Sequence, residues 1–298
     1  MTDVVIVTAN SRAMVLRCLE HLPDGVNPIV VDNGSTDDTA EACTAAGATV
    51  VRLPEPSGLA YAFNRGAAAG AADRVLFLND DILAMPGSVE ALVEFLDGSD
   101  AVAVGGRLVD PDTLETQPRY LPARFPSALD LALTASGLGS LLRSAPPVEP
   151  TATGPVEQLA GACILVRRPV FERLGGWDER FFFWYEDVDF CRRLAGAGRI
   201  VFVPSARFRH EGGASFARWD RERSLRSMLH GTLQYAAAHF DAVRRAGVGG
   251  LVAALALPRI VVFAVLRQAP MARLYRDVAG AAWALARGRA VPPLMGPA

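Results

Sequence analysis

Residues 181 to 194 read FFFWYEDVDFCRRL, placing Glu186, Asp187 and Asp189 directly behind five aromatics. A carboxylate held in apolar surroundings suits the work of a general base that takes a proton from a hydroxyl. The same acids would also favour the N-terminus of a helix, where the backbone dipole is positive. Residues 186 to 196 read as that helix, with Arg192 and Arg193 further along. At about 100° per residue, Asp187 and Asp189 point some 200° apart, so only one can face a given substrate. One of the two is then expected at the substrate and the other as a capping charge. At least two of Phe181 to Phe183 are expected in the core.

Four further stretches bring polar chemistry beside apolar runs. VLFLNDD (75–81) delivers Asn79, Asp80 and Asp81 at the end of a buried strand. Adjacent carboxylates repel unless a cation sits beside them, and hard oxygen ligands suit Mg²⁺ or Mn²⁺ holding a phosphate; a solvated acidic turn is the plainer alternative. IVVDNGSTDDT (29–39) ends a strand at Asp32, whose carboxylate can accept from the N–H groups of a nucleotide base, although such turns are common. PSGLAYAFNRG (56–66) combines Gly58, which permits close backbone approach, with Asn64 and Arg65 opening toward a diphosphate or base. His210, in RFRHEGGAS, follows a strand and precedes Gly212 and Gly213, on a turn able to reach the same crevice.

The elements that must position these residues alternate. Strands are predicted at 4–8, 28–32, 48–53 and 74–80, and helices at roughly 12–22, 37–46, 60–71 and 87–97. This order predicts an α/β fold whose parallel sheet carries helices on both faces and binds ligands beyond the carboxyl ends of its strands. Residues 140–157, rich in Pro, Ser and Thr, are expected to form a mobile excursion over the site. A strand at 159–168, a short helix at PVFERLGG and a last strand and turn at 200–212 follow.

The chain has 298 residues, 51% of them hydrophobic, enough for a sizeable core. Its four cysteines are dispersed, which favours buried free thiols and a reducing compartment. The N-terminus runs into VVIVT with no charged leader, so no signal peptide is expected. All thirty basic residues are Arg, and a Walker-type phosphate loop, which needs Lys, is excluded. Net charge is −2, but residues after 240 carry +6 and the first 240 carry −8. Residues 248–266, VGGLVAALALPRIVVFAVL, meet the length of a membrane span. Pro258 and Arg259 at the centre argue against crossing. Helices lying in the membrane interface, or a buried hairpin, fit better.

The ordered set VVIVTANSR, IVVDNGSTDDT, SGLAYAFNRG, FLNDD, GACILVRRPVFERLGGWDERFFFWYEDVDFCRRL and RFRHEGGAS resembles glycosyltransferase family 2, over about residues 3 to 216. It is most similar to the rhamnosyltransferase-like and galactofuranosyltransferase-like branches. The resemblance implies a GT-A fold with C-terminal helices, a nucleoside diphosphate sugar donor and a Mg²⁺ or Mn²⁺ ion. It implies donor contacts from Thr8, Asp32, Gly58, Asn64, Asn79 and Asp80, metal ligation by Asp81 and His210, and Asp187 as the base of an inverting displacement. Trp184, Tyr185 and Glu186 are the acceptor-side residues. Asn79 stands where the first Asp of the family's D-x-D motif is usual, which should weaken metal affinity, and Ser57 stands where Asn commonly precedes the glycine.

The expected organisation is a catalytic domain over 1–240, with a nucleotide-sugar half to about 110 and an acceptor half beyond it. A basic, apolar helical segment follows over 241–298. The expected acceptor is a glycan, lipid-linked or small-molecule hydroxyl, with dTDP-rhamnose the first donor to test. The expected place is cytoplasmic, at the inner face of the cell membrane, with peripheral membrane contact and no nucleic acid. The rival readings are a nucleotidyltransferase, against which only Arg12 is available near the first loop, and a catalytically silent nucleotide-sugar-binding partner, for which Asn79 is the best support.

Overall fold

The computed structural model describes residues 1–136, 149–212 and 220–295. Contacts divide the chain into two compact units. The first comprises Met1–Phe125, Pro147–Glu179 and Glu186–Ala214, and the second Pro126–Pro146, Arg180–Tyr185 and Ser215–Ala298. The expected boundary at residue 240 falls inside the second unit. Half of the expected excursion at 140–157, residues 140–148, lies outside the described residues, and in the other half Gly154–Pro155 is a strand.

The first unit is built on one sheet. Its strands are β1 (Thr2–Thr8), β2 (Val26–Asn33), β3 (Thr49–Leu53), β4 (Arg74–Asn79), β5 (Ile82–Ala84), β6 (Ala101–Val109), β7 (Gly154–Pro155), β8 (Cys163–Arg167) and β9 (Arg199–His210). They are ordered β3-β2-β1-β4-β8-β6-β9-β5, with β7 paired to β9. The four N-terminal strands are parallel. Beyond them the sheet is mixed, because β8 runs antiparallel to both β4 and β6. The parallel sheet expected from strand–helix alternation runs unbroken through β3-β2-β1-β4, and β6 and β9 are again parallel to each other.

Alternation along the strands explains why both faces are buried. Val4, Ile6, Leu76 and Leu78 enter one core, while Val5, Val75 and Phe77 enter the other. Helices α1 (Arg12–Glu20), α2 (Thr39–Ala45), α3 (Leu59–Ala68), α4 (Ser88–Asp97), α6 (Arg168–Arg173) and α7 (Glu186–Ala197) belong to this unit; α5 (Ala128–Ser136) belongs to the other. All four cysteines are free and buried.

The second unit is helical: α5 with α8 (Arg221–His239), α9 (Ala242–Val265) and α10 (Ala269–Ala286). Asp220 and Asp241 cap α8 and α9, accepting from the backbone N–H of Arg223 at 2.7 Å and of Arg244 at 2.8 Å. α9 and α10 form a hairpin in which the rings of Phe263 and Tyr275 stack 5.6 Å apart. α9 is 24 residues long, and its most apolar stretch of 18 residues has mean hydropathy 2.2 and is only 22% buried, so by length and composition it could cross a membrane.

Candidate active site

Parallel register brings the strand-end residues into line. Thr8 lies opposite Asp32 across β1 and β2, and Val7 lies opposite Asn79 across β1 and β4. The Thr8 hydroxyl donates to Asp80 Oδ2 at 2.8 Å, fixing that buried carboxylate at the end of β4. Asp32 is also buried; its Oδ1 accepts from the Ser35 N–H at 3.1 Å, and the Arg52 guanidinium lies 3.6 Å from Oδ2. The ends of β2, β1 and β4 thus set Asp32, Thr8, Asn79 and Asp80 side by side at the carboxyl ends of the parallel strands, with Asp81 following directly in the chain.

Asp81 faces His210. β5 pairs antiparallel with β9, setting Ile82 opposite His210, and the imidazole Nε2 comes within 3.5 Å of Asp81 Oδ1. Gln117, which the sequence reading did not single out, settles the proton on this histidine. Its side-chain amide N–H donates to the His210 carbonyl at 2.8 Å, so its carbonyl oxygen is the atom 2.9 Å from Nδ1. That oxygen can only accept, so Nδ1 carries the hydrogen and Nε2 presents a lone pair. Burial holds His210 down at about 4 and pushes Asp81 up to about 6, so at neutral pH both are in their unprotonated forms. Two acceptors thus face each other in a buried place, and Asp81 Oδ1 has no hydrogen-bond partner among the described residues. A divalent cation fits this donor set: one carboxylate oxygen and one imidazole nitrogen oriented by the Gln117 amide. Among the described residues no group of three or more His, Cys, Asp or Glu could hold a metal, so the remaining ligands would be phosphate oxygens and water.

Asp187 is linked to the end of β4 through the backbone. The Asn79 N–H donates to the Ala162 carbonyl at 3.1 Å, and the neighbouring Gly161 N–H donates to Asp187 Oδ2 at 3.1 Å. A Cβ at Gly161 would stand 2.7 Å from the Asp187 Cβ, so this close approach requires glycine. Asp187 Oδ1 accepts from the Val188 N–H at 2.8 Å. Burial raises the pKa of Asp187, while these donors favour its charged form. Glu186 is pushed up to about 8 by burial and by the charge of Asp187, and its Oε2 has no partner among the described residues. Burial thus raises both members of the pair, and Glu186, at about 8, is the carboxylic acid near neutral pH.

Other expected site residues lie in different surroundings. Asn64 is fully engaged: Oδ1 accepts from the Trp177 N–H, and Nδ2 donates to the Trp177 carbonyl and to Glu179, all at 2.9 Å. Its amide locks the Gly175-Gly176-Trp177 turn, where Gly176 has φ +76° and a Cβ would meet Asn64 Oδ1 at 2.5 Å. This departs from an amide open toward a diphosphate. Gly58 is the N-cap of α3 with φ −64°, a conformation open to any residue. The turn before it is held by Asn33, whose Oδ1 accepts from the Ser57 N–H at 2.7 Å and hydroxyl at 2.9 Å. Asp189 is not simply a cap: it is buried and pairs with Arg193 at 2.8 Å, whose guanidinium also donates to the Gly176 carbonyl at 2.7 Å.

Trp184 and Tyr185 belong to the helical unit and have φ of 72° and 68°. Two consecutive left-handed residues with side chains cost on the order of 1 kcal/mol each, a strain the surroundings must hold. α8 holds the segment from several positions. The Ser227 hydroxyl donates to the Phe183 carbonyl at 2.8 Å, the His230 ring bonds the Arg180 carbonyl at 3.2 Å, and the Tyr235 ring lies 5.8 Å from that of Tyr185. Of the three phenylalanines only Phe181 is fully buried, fewer than expected.

A family model described as glycosyl transferase family 2 matches residues 3–175. The chain is 35% identical over 220 residues to the N-acetylglucosaminyl-diphospho-decaprenol L-rhamnosyltransferase of Mycobacterium tuberculosis, covering 65% of this chain and 69% of that protein. It is 28% identical over 169 residues to the rhamnosyltransferase WbbL of Escherichia coli K12, covering 55% and 62%. Among solved structures, the mannosyltransferase PcManGT of Pyrobaculum calidifontis, with GDP-Man and Mn²⁺, superposes with a TM-score of 0.54 at 17% identity, over 96% of this chain and 85% of that one. The sheet with its strand-end acids is accordingly a GT-A fold, and this chain belongs to glycosyltransferase family 2.

Proposed function

We propose that this glycosyltransferase moves rhamnose from a nucleoside diphosphate, dTDP-rhamnose first among candidates, to a hydroxyl of a lipid-linked glycan acceptor, inverting the anomeric configuration. The observation that carries a cation-assisted site is the facing pair Asp81 Oδ1 and His210 Nε2, two buried acceptors 3.5 Å apart. The relatives' names support the sugar and the lipid-linked acceptor. Asp32 and Thr8–Asp80 would position the donor. Asp187 takes the proton of the acceptor hydroxyl while that oxygen attacks the anomeric carbon, and the bond to the diphosphate breaks with its electron pair leaving on the diphosphate oxygen. Asp81 and His210 would hold Mg²⁺ or Mn²⁺, whose chemistry is to neutralise charge on the departing diphosphate. Glu186, protonated at neutral pH, can donate to the acceptor without competing for its proton. The test is incubation of dTDP-rhamnose with a lipid-linked N-acetylglucosamine acceptor. Rhamnosylated lipid with free dTDP is expected, and donor consumption with no sugar on the lipid would remove the acceptor assignment.

The role of Gln117 is testable apart from turnover. Gln117→Leu removes the acceptor that fixes the Nδ1 hydrogen, and losing the partner that orients a ligating histidine typically costs about 10–100-fold in metal affinity. Titration with Mn²⁺ followed by electron paramagnetic resonance should show that weakening. Affinity equal to wild type would remove Gln117 from the account.

The Glu186–Asp187 pair sets the pH profile. Because burial raises Asp187, the base is lost as pH falls through its elevated pKa, and kcat should decline on the acidic side. Glu186→Gln removes the neighbouring titration. Its profile should keep the acidic limb and lose any second inflection near pH 8. An unaltered two-step profile in that variant would contradict the assignment.

Membrane contact is proposed for the outward face of α9. Leu257, Val261 and Val265 are 60%, 62% and 76% exposed and follow one another at helical spacing. Arg244, Arg267, Arg273 and Arg276 are exposed on this hairpin, and each near an anionic surface is worth on the order of 1 kcal/mol. Val261→Glu with Val265→Glu should release the protein from anionic liposomes in a flotation assay; undiminished flotation would assign the contact elsewhere. Truncation after residue 240 is a poorer test, because α8 shares a compact unit with the hairpin it would remove.

A further inference from the structure

The helical unit contains a cavity of about 840 Å³ that the transfer chemistry above does not use. Its size falls within the usual range for sites that bury a small organic ligand. Met228 of α8, Val262 and Phe263 of α9 and Tyr275 of α10 form apolar walls. Two cations interrupt them: Arg221 in the first turn of α8, and Arg259, whose guanidinium lies 5.6 Å from the centre of the Tyr275 ring. An apolar chamber with a pair of guanidinium groups is complementary to an amphiphile with a long hydrocarbon chain and an anionic head.

The cavity is also continuous with the exposed apolar face of α9. Pro258 and Val262 line it, yet both are exposed, Val262 by 51%, and they stand beside Val261 and Val265 on the helix surface. A chain lying along that face could enter sideways without crossing water. Trp184 forms another wall.

We infer that this cavity is the seat of a polyprenyl diphosphate, the isoprenoid chain against Met228, Val262 and Phe263 and the diphosphate toward Arg221 and Arg259. The choice of a polyprenyl lipid over other anionic amphiphiles rests on the lipid-linked acceptor proposed above. The site would bind the lipid independently of donor, cation or turnover.

The test uses the full chain in nanodiscs of zwitterionic phospholipid, with a polyprenyl diphosphate that carries a photoreactive diazirine in its chain. Peptide mapping should find label on α8 around Met228 and on α10 around Tyr275 as well as on α9, competed by unlabelled polyprenyl diphosphate. Met228→Trp, which fills the chamber, and the double variant Arg221→Gln with Arg259→Gln should each lower competed labelling at least about tenfold. Melting curves select the variants that keep the fold. Label confined to the outer face of α9, equally strong with a diazirine phospholipid, would overturn the site and leave only bilayer contact. Sugar transfer is measured in the same nanodiscs: competed labelling without transfer retains the site and removes the acceptor assignment, and transfer without labelling of α8 and α10 does the reverse.

Discussion

Asp187→Asn should lower kcat by about 10² to 10⁴-fold while donor and cation binding persist, because a positioned general base typically contributes that much. The substitution keeps the shape and one oxygen, so one of the bonds from Gly161 and Val188 survives. The stability loss should be about 1 kcal/mol, the net worth of one hydrogen bond. A structural role alone would give the opposite pattern, a lower melting temperature with turnover near normal. Isothermal titration with the nucleoside diphosphate separates the two, since Asp32, Thr8, Asp80 and Asp81 are unchanged. Asp189→Asn is no silent control: it leaves Arg193 without its buried carboxylate and should cost stability, with smaller effect on the rate.

Asp81→Ala should abolish stabilisation by a nucleoside diphosphate that depends on Mn²⁺. The variant removes the carboxylate oxygen that faces His210 Nε2 and leaves the imidazole as the only protein ligand of the pair. Turnover should fall by at least the two to three orders of magnitude typical for loss of one preorganised electrostatic contact to a transition state. Thermal shifts measured with diphosphate alone, Mn²⁺ alone and both together provide the readout. A cation-dependent shift equal to wild type in the variant would remove Asp81 from the metal site.

Strand ends and helix starts were legible because their signals are local. Asp32, Asp80 and Asp81 close apolar runs, and α7 was placed to within a residue by its acidic first turn. β6 was missed because its centre is Gly105-Gly106, which weakens a strand signal. The reason for those glycines is tertiary, since a Cβ at Gly106 would meet the Ala206 carbonyl at 2.5 Å. β5 is three residues long, and only its pairing to β9 makes it a strand. Gln117 is separated from His210 by 93 residues, and nothing in its neighbourhood marks it. Asn64 looked like a ligand because an Asn beside an Arg after a glycine turn suits phosphate. The Gly-Gly-Trp turn that claims its amide lies 113 residues away. The strain at Trp184 and Tyr185 is equally invisible in sequence, because aromatic residues ordinarily avoid that backbone conformation.

Direct displacement with Asp187 as base is tested most directly by the configuration of the product. Proton nuclear magnetic resonance of the lipid-linked disaccharide formed from dTDP-rhamnose reports the anomeric centre, and release of dTDP is followed in the same sample. A single displacement predicts an inverted centre and one dTDP per sugar transferred. Retention of configuration, or release of pyrophosphate instead of dTDP, would contradict the account.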